Sequence, residues 1–267
     1  LAHAEVDCVG ADASSELERS PASYRAYLQS RPRAMENQAI EQLIELARLT
    51  RCRVHVVHLS SSDAIARIRQ AKAEGVAITC ETCPHYLLLS AEKIADGDGR
   101  FKCAPPIREE SNRLLLWQGL KDGTIDMVVS DHSPCTPALK LLSKQNLKDA
   151  WGGISSLQFG LPLIWREAQV QGIAMDQVLT WMACQPAKLA GLSQRKGRIA
   201  VGMDADFAEF DPSQSLIIDR SMILHRHKET PYESWRGQGR VHATWLRGVR
   251  IFCDGKFLVP PTGERLP

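Results

Sequence analysis

The sequence predicts an α/β fold of parallel βα units, followed by a small β-rich module. Three observations predict it. Short β-branched apolar runs alternate with helix-period segments over about the first 190 residues. Polar residues able to do chemistry cluster at the carboxyl ends of those runs and not at their starts. From Gly197 onward the texture changes to short strand-like runs between Gly and Asp turns.

Four runs read as strands: Leu1–Glu5, Arg53–Leu59, Val76–Glu81 and Ile125–Ser130. Between the first two, residues 8–35 read as a long loop with a short helix, and Glu36–Leu49 as a helix with Ile40, Leu43, Ile44 and Ala47 on one face. Ser62–Glu74 reads as a helix closed by Gly75, and Glu110–Leu120 as another ending near Gly123. Two further helices are expected at roughly 154–170 and 175–190. Arg198–Phe207 and Ala243–Phe252 are the expected strands of an antiparallel module. The expected domains are therefore 1–196 and 197–267. Four βα units are half of a (β/α)8 barrel, which takes about 250 residues to close. The expectation is the carboxyl-terminal half of such a TIM-like barrel, with the amino-terminal half outside this sequence.

Composition is that of an ordinary globular protein, with 44% hydrophobic and 24% charged residues among 267. A net charge of +2 gives no pull towards nucleic acid. No apolar run approaches the roughly 18 residues of a membrane span. Neither nucleic acid nor membrane is an expected partner. The eight dispersed cysteines read as reduced thiols of an intracellular protein, and the lone Cys80-Glu81-Thr82-Cys83 as packed thiols.

Strand alternation places His58 on the face of Val54 and Val56, with His55 opposite. Asp131 shares a face with Met127 and Val129, and His3 with Leu1 and Glu5. Three strand ends thus aim two imidazoles and a carboxylate at a common point, which is what a metal and an adjacent proton acceptor need. His85 reads as packed or hydrogen-bonded in its loop, and His132 as a hydrogen-bonding residue near the site. The Leu224–Lys228 stretch reads as a solvated loop or subunit contact, and the scattered tryptophans as core or interface.

Four stretches closely resemble the allantoinases, cyclic amidohydrolases of the dihydroorotase and dihydropyrimidinase group. They are Cys80–Tyr86, Lys102–Arg108, Val129–Cys135 and Ala150–Ile154; Gln185–Leu192 and Lys196–Gly202 extend the likeness. The resemblance implies a binuclear metal site, with zinc the expected metal, that hydrolyses allantoin to allantoate. It implies that His3 and His58 bind the second metal, and that Asp131 binds the first and acts as catalytic base and acid. Backbone groups around Ala104 and Gly152 match the substrate-binding positions. It further implies a homotetramer in the cytoplasm, with peroxisome or mitochondrion as alternatives. The family's His-x-His pair and its bridging carboxylated lysine have no counterpart here, so this chain by itself is expected to be inactive. The alternatives weighed are a non-catalytic assembly protein of the same fold, and a hydrolase of the dihydropyrimidinase or hydantoinase type.

Overall fold

The computed structural model describes residues 1–8 and 11–266, and the side chains of residues 11–14 are not described. Val9 and Gly10, within the expected loop 8–35, and the terminal Pro267 lie outside the described residues. Contacts divide the chain into two compact units: residues 1–160 with 224–233, and residues 161–223 with 234–267. This grouping differs from the 1–196 and 197–267 division, which remains a proposal about sequence modules.

In the first unit, where a loop with one short helix was expected, two helices form: α1 (Ala11–Arg19) and α2 (Tyr24–Ser30). Ser23 caps α2 by accepting the Ala26 amide, which supplies the start signal. Helix α3 (Arg33–Thr50) buries Ile40, Ile44 and Ala47, the apolar stripe read from the sequence. It is followed by β1 (Val54–Val56), α4 (Ile65–Ala73), β2 (Ile78–Thr82), the short α5 (Pro84–Leu88), α6 (Glu110–Lys121) and β3 (Met127–Val128).

The strands form a parallel sheet in the order β1-β2-β3, with Val54 opposite Ile78 and Glu81 opposite Met127. Parallel neighbours joined through α4 and α6 are the βα repeats expected from the alternating pattern. The expected first strand, Leu1–Glu5, is a single parallel bridge from Ala2 to Val56. Two hydrogen bonds carry it, Ala2 N to His55 O at 2.9 Å and Val57 N to Ala2 O at 3.2 Å. The residue is in strand register although the segment is too short for a ladder. The core of this unit includes Val56, Leu59, Ile68, Ile78, Leu116, Trp117 and Ile125, all nearly inaccessible.

The second unit contains α7 (Gly160–Val170), α8 (Met175–Leu179) and α9 (Gln185–Leu189), then β4 (Phe207–Ile217), β5 (Arg236–Leu246), β6 (Val249–Cys253) and β7 (Lys256–Phe257). The single helix expected at 175–190 is interrupted by a π-helical turn, Thr180–Cys184. Pro186 has no N–H to donate, and a wider turn just before it accommodates the missing bond. The four strands form an antiparallel sheet in sequence order, with bulges at Glu209/Phe210 and Asp211/Ser215. The expected strand 198–207 is a correction. Only Phe207 is in strand, because Asp204 and Asp206 fold the preceding residues into turns through Arg195, Lys196 and the Arg247 amide. Trp165 on α7 donates to Pro212 O at 2.9 Å and fastens the helix to β4. Among the described residues, no helix is long and apolar enough to cross a membrane.

Candidate metal centre

The site lies within the first unit, where the chain leaves the parallel strands. His3 Nδ1 and His58 Nε2 face each other at 2.9 Å, and the far nitrogen of His3 donates to Glu5 Oε2 at 2.9 Å. Glu5 in turn accepts from Arg31. A carboxylate behind an imidazole fixes its tautomer and presents the other nitrogen as a lone pair. The Glu5 hydrogen bond raises the His3 pKa against the opposing effect of burial. Burial, followed by the facing His3 charge, lowers that of His58. Tetrahedral zinc would set the two nitrogens about 3.3 Å apart, so a small separation of the rings admits a divalent ion. The donor types fit.

His58 and Asp131 share a backbone feature: both have φ of 42°, in the left-handed region. Side chains other than Gly, Asn and Asp rarely adopt it, and such residues concentrate at functional sites. The turn after His58 is held from below. Glu36 on α3 accepts the Ser60 and Ser61 amides at 2.7 and 2.8 Å, and Asn112 on α6 accepts Ser62 N and donates to Ser60 O. Burial pushes the Glu36 carboxyl up to about 7 from its ordinary 4.5, against the pull of Arg108 and the two amides. The native state therefore holds a proton there that the unfolded chain releases. That contribution is complete below pH 4.5 and is lost as the pH rises through 7. Urea midpoints for wild type should fall between pH 5 and pH 8 relative to those of Glu36→Gln. An identical slope in the two proteins would refute the assignment.

His3, His58 and Asp131 do not have all their ligand atoms within 4.8 Å of one another. Burial, reinforced by the Glu81 charge, raises the Asp131 carboxyl above the ordinary range, and His3 opposes the shift. Among the described residues, one set of three His, Cys, Asp or Glu side chains has all its ligand atoms within 4.8 Å of one another: Cys83, His85 and Asp131. His3 and His58 are not in that set. His55 points away as expected, between Thr79 Oγ1 at 2.7 Å and Glu81 Oε2 at 2.9 Å.

Ala104 and Gly152 are brought together. A Cβ built on Gly152 would lie 3.7 Å from Ala104 N, and both residues line one cleft of about 480 Å³ with Arg31, Lys102, Tyr27 and Trp151. Trp151 is thus a half-exposed cleft residue, whereas Trp117 and Trp181 are core as expected. The loops around the cleft are tied by Lys140, 4% exposed, whose ammonium donates to the carbonyls of Lys102, Trp151 and Gly153. Gly153 also packs against the Asp131 turn: a Cβ there would lie 2.7 Å from Ser133 O and Oγ, and Ser133 Oγ donates to Asp131 O at 3.0 Å. Gly153→Ala should therefore cost about 1–3 kcal/mol by overpacking. The loss is measurable as a lowered melting temperature, and an unchanged one would contradict this contact.

His132 does not face the imidazole pair. Its Nδ1 accepts the Ser156 and Leu157 amides at 3.0 and 3.1 Å, capping the turn that precedes α7, and its ring meets His225 at 5.3 Å. The Leu224–Lys228 stretch is a loop of exposed and half-buried residues, in keeping with the solvated loop expected, and belongs to the first compact unit; just beyond it Thr230 and Tyr232 are buried and Thr230 Oγ1 donates to Ser155 O. His85 is packed, as expected, edge-on to Tyr86. Sequence reading did not identify Glu5, Glu36 or Lys140 as supports. Glu5, two residues from His3 on the same face, was the one with a legible signal.

The chain spans about half the length of the relatives it matches. It is 50% identical over 243 residues to the allantoinase of Streptomyces avermitilis, covering 91% of this chain and 54% of that one. It is 43% identical over 268 residues to the allantoinase of Saccharomyces cerevisiae, covering 99% and 57%. Among solved structures, the L-hydantoinase (dihydropyrimidinase) of Arthrobacter aurescens superposes with a TM-score of 0.88 at 29% identity, over 96% of this chain and 57% of that one. The amidohydrolase family profile matches residues 26–251. Strand-end imidazoles, an aspartate on a left-handed turn and a profile match over most of the length agree: this chain belongs to the amidohydrolase family.

Proposed function

We propose that this chain supplies the carboxyl-terminal half of a TIM-like amidohydrolase barrel whose complete protein opens the ring of allantoin to give allantoate. The observation that carries the reading is the facing pair His3 Nδ1 and His58 Nε2, backed by Glu5, with Asp131 in the segment that follows β3. The choice of substrate draws on relatives named allantoinase at 37% to 50% identity. In this reading residues 1–196 are the barrel part and 197–267 the appended β module. His3 and His58 hold one divalent ion and Asp131 the other, with zinc as the metal. The complete protein is an intracellular homo-oligomer, a tetramer in this reading.

Two such cations supply Lewis-acid polarisation of the ring amide and make an attacking water more acidic. The chain's own residues do the rest. Asp131, whose partial burial strengthens it as a base, takes a proton from the water as the C–O bond forms. It returns that proton to the ring nitrogen as the C–N bond breaks. Backbone groups at Ala104 and Gly152, adjacent in the cleft, hold the imide edge of the ring. Lys140 keeps those two loops in register by binding their carbonyls.

The test is hydrolysis by the complete gene product, offered allantoin, dihydrouracil and hydantoin side by side. Release of allantoate in clear preference to the other products supports the reading. Turnover of dihydropyrimidines with none of allantoin would replace it with a dihydropyrimidinase. No turnover of any of them by metal-loaded protein would favour a non-catalytic assembly role.

A further inference from the structure

His85 poses a problem that the proposed hydrolytic site does not solve. It is fully buried, and neither ring nitrogen has a hydrogen-bond partner. Buried polar atoms left unpaired are costly and uncommon, and an ion that completes them is one of the few explanations. Its neighbour Cys83, also fully buried, is a free thiol. Cys83 is the residue immediately before α5 and His85 lies in that helix's first turn, so one turn of backbone brings the two side chains together. Asp131 reaches the same point from the end of the β3 strand, and the three ligand atoms lie within 4.8 Å of one another.

We propose that Cys83, His85 and Asp131 form a further cation site, one that takes a single thiophilic divalent ion such as Zn²⁺ or Cd²⁺. The donor set decides the class of ion. One sulfur, one imidazole nitrogen and one carboxylate oxygen suit zinc and cadmium, whereas magnesium and calcium take oxygen ligands. Three protein ligands leave a fourth position for water. Tetrahedral bonds of about 2.0–2.3 Å require the ligand atoms to draw in by roughly 1 Å, and Asp131 is the least enclosed of the three. Binding breaks the Cys83 S–H bond, the proton passes to solvent, and the thiolate pair forms the sulfur–metal bond. The site shares Asp131 with the proposed hydrolytic centre and uses neither His3 nor His58. An ion held here competes for the Asp131 carboxylate.

Cadmium tests the site because thiolate-bound cadmium has a sulfur-to-metal charge-transfer absorption that nitrogen and oxygen ligands do not produce. Metal-free complete gene product is titrated with Cd²⁺, with equilibrium dialysis for stoichiometry and circular dichroism to confirm folding. The expected result is a charge-transfer band that loses one cadmium–thiolate equivalent in Cys83→Ser, and at least a tenfold loss of affinity for that equivalent in Asp131→Asn. A band of full amplitude in folded Cys83→Ser would place the thiolate elsewhere and overturn the proposal, as would unchanged affinity in Asp131→Asn. Should Cys83→Ser fail to fold, the Asp131→Asn arm decides alone, since Asp131 is only partly buried. The band reads sulfur ligation, so the result is independent of which ring the enzyme hydrolyses.

Discussion

Replacing Asp131 by Asn in the complete gene product is expected to lower ring opening by a factor between about 10² and 10⁴, the range typical of losing a positioned acid–base group. The fold should survive. Asn is one of the few side chains that tolerates the left-handed backbone Asp131 adopts at φ 42°, and it keeps the size of the carboxylate. Asp131→Ala would confound lost chemistry with added backbone strain. The comparison of interest is therefore kcat for Asp131→Asn against a melting temperature within a degree or two of wild type. Retention of more than a tenth of the activity would remove Asp131 from the proton-transfer role.

The second large effect is on stability, at a residue far less conspicuous in the sequence. Lys140→Met keeps the aliphatic stem but removes an ammonium that donates to three carbonyls from two loops. Lys102 O retains the Gly153 amide at 2.9 Å, while the carbonyls of Trp151 and Gly153 lose this donor. Charge-assisted bonds are each worth about 1.5–3 kcal/mol, and buried carbonyls left unpaired carry their own cost. Burial lowers the Lys140 pKa, so part of the gain is already spent on desolvating the charge. A net loss of about 3 kcal/mol follows, or roughly 10 °C in melting temperature for a unit of this size. A shift under 2 °C would show that the loops hold without it. Because Ala104 and Gly152 sit on those loops, KM should rise along with the loss of stability.

What could be read in advance divides along a physical line. The helices and parallel strands were legible because burial imposes a period: α3 repeats its apolar residues at helical spacing, and β1, β2 and β3 each lie within an apolar run. Lys140 carries no such signature. It lies within a turn, and its partners are backbone carbonyls, which every residue possesses. The Cys83–His85 pair was hidden for a different reason. The CxxC spacing directs attention to Cys80, yet Cys80 Sγ approaches Thr124 O while Cys83 starts a helix beside Asp131. The expected strand at 198–207 failed because its aspartates find cationic and backbone partners that favour turns over a ladder. The left-handed backbone at His58 could not be foreseen either, since histidine gives no local reason to adopt it.

The claim at the centre of this account is that His3 and His58 together hold one of two metal ions. Metal content of the complete gene product, measured for wild type and for His3→Ala, addresses it directly. One ion fewer per chain in a folded His3→Ala protein than in wild type is the predicted result. An unchanged metal content in that variant would contradict it.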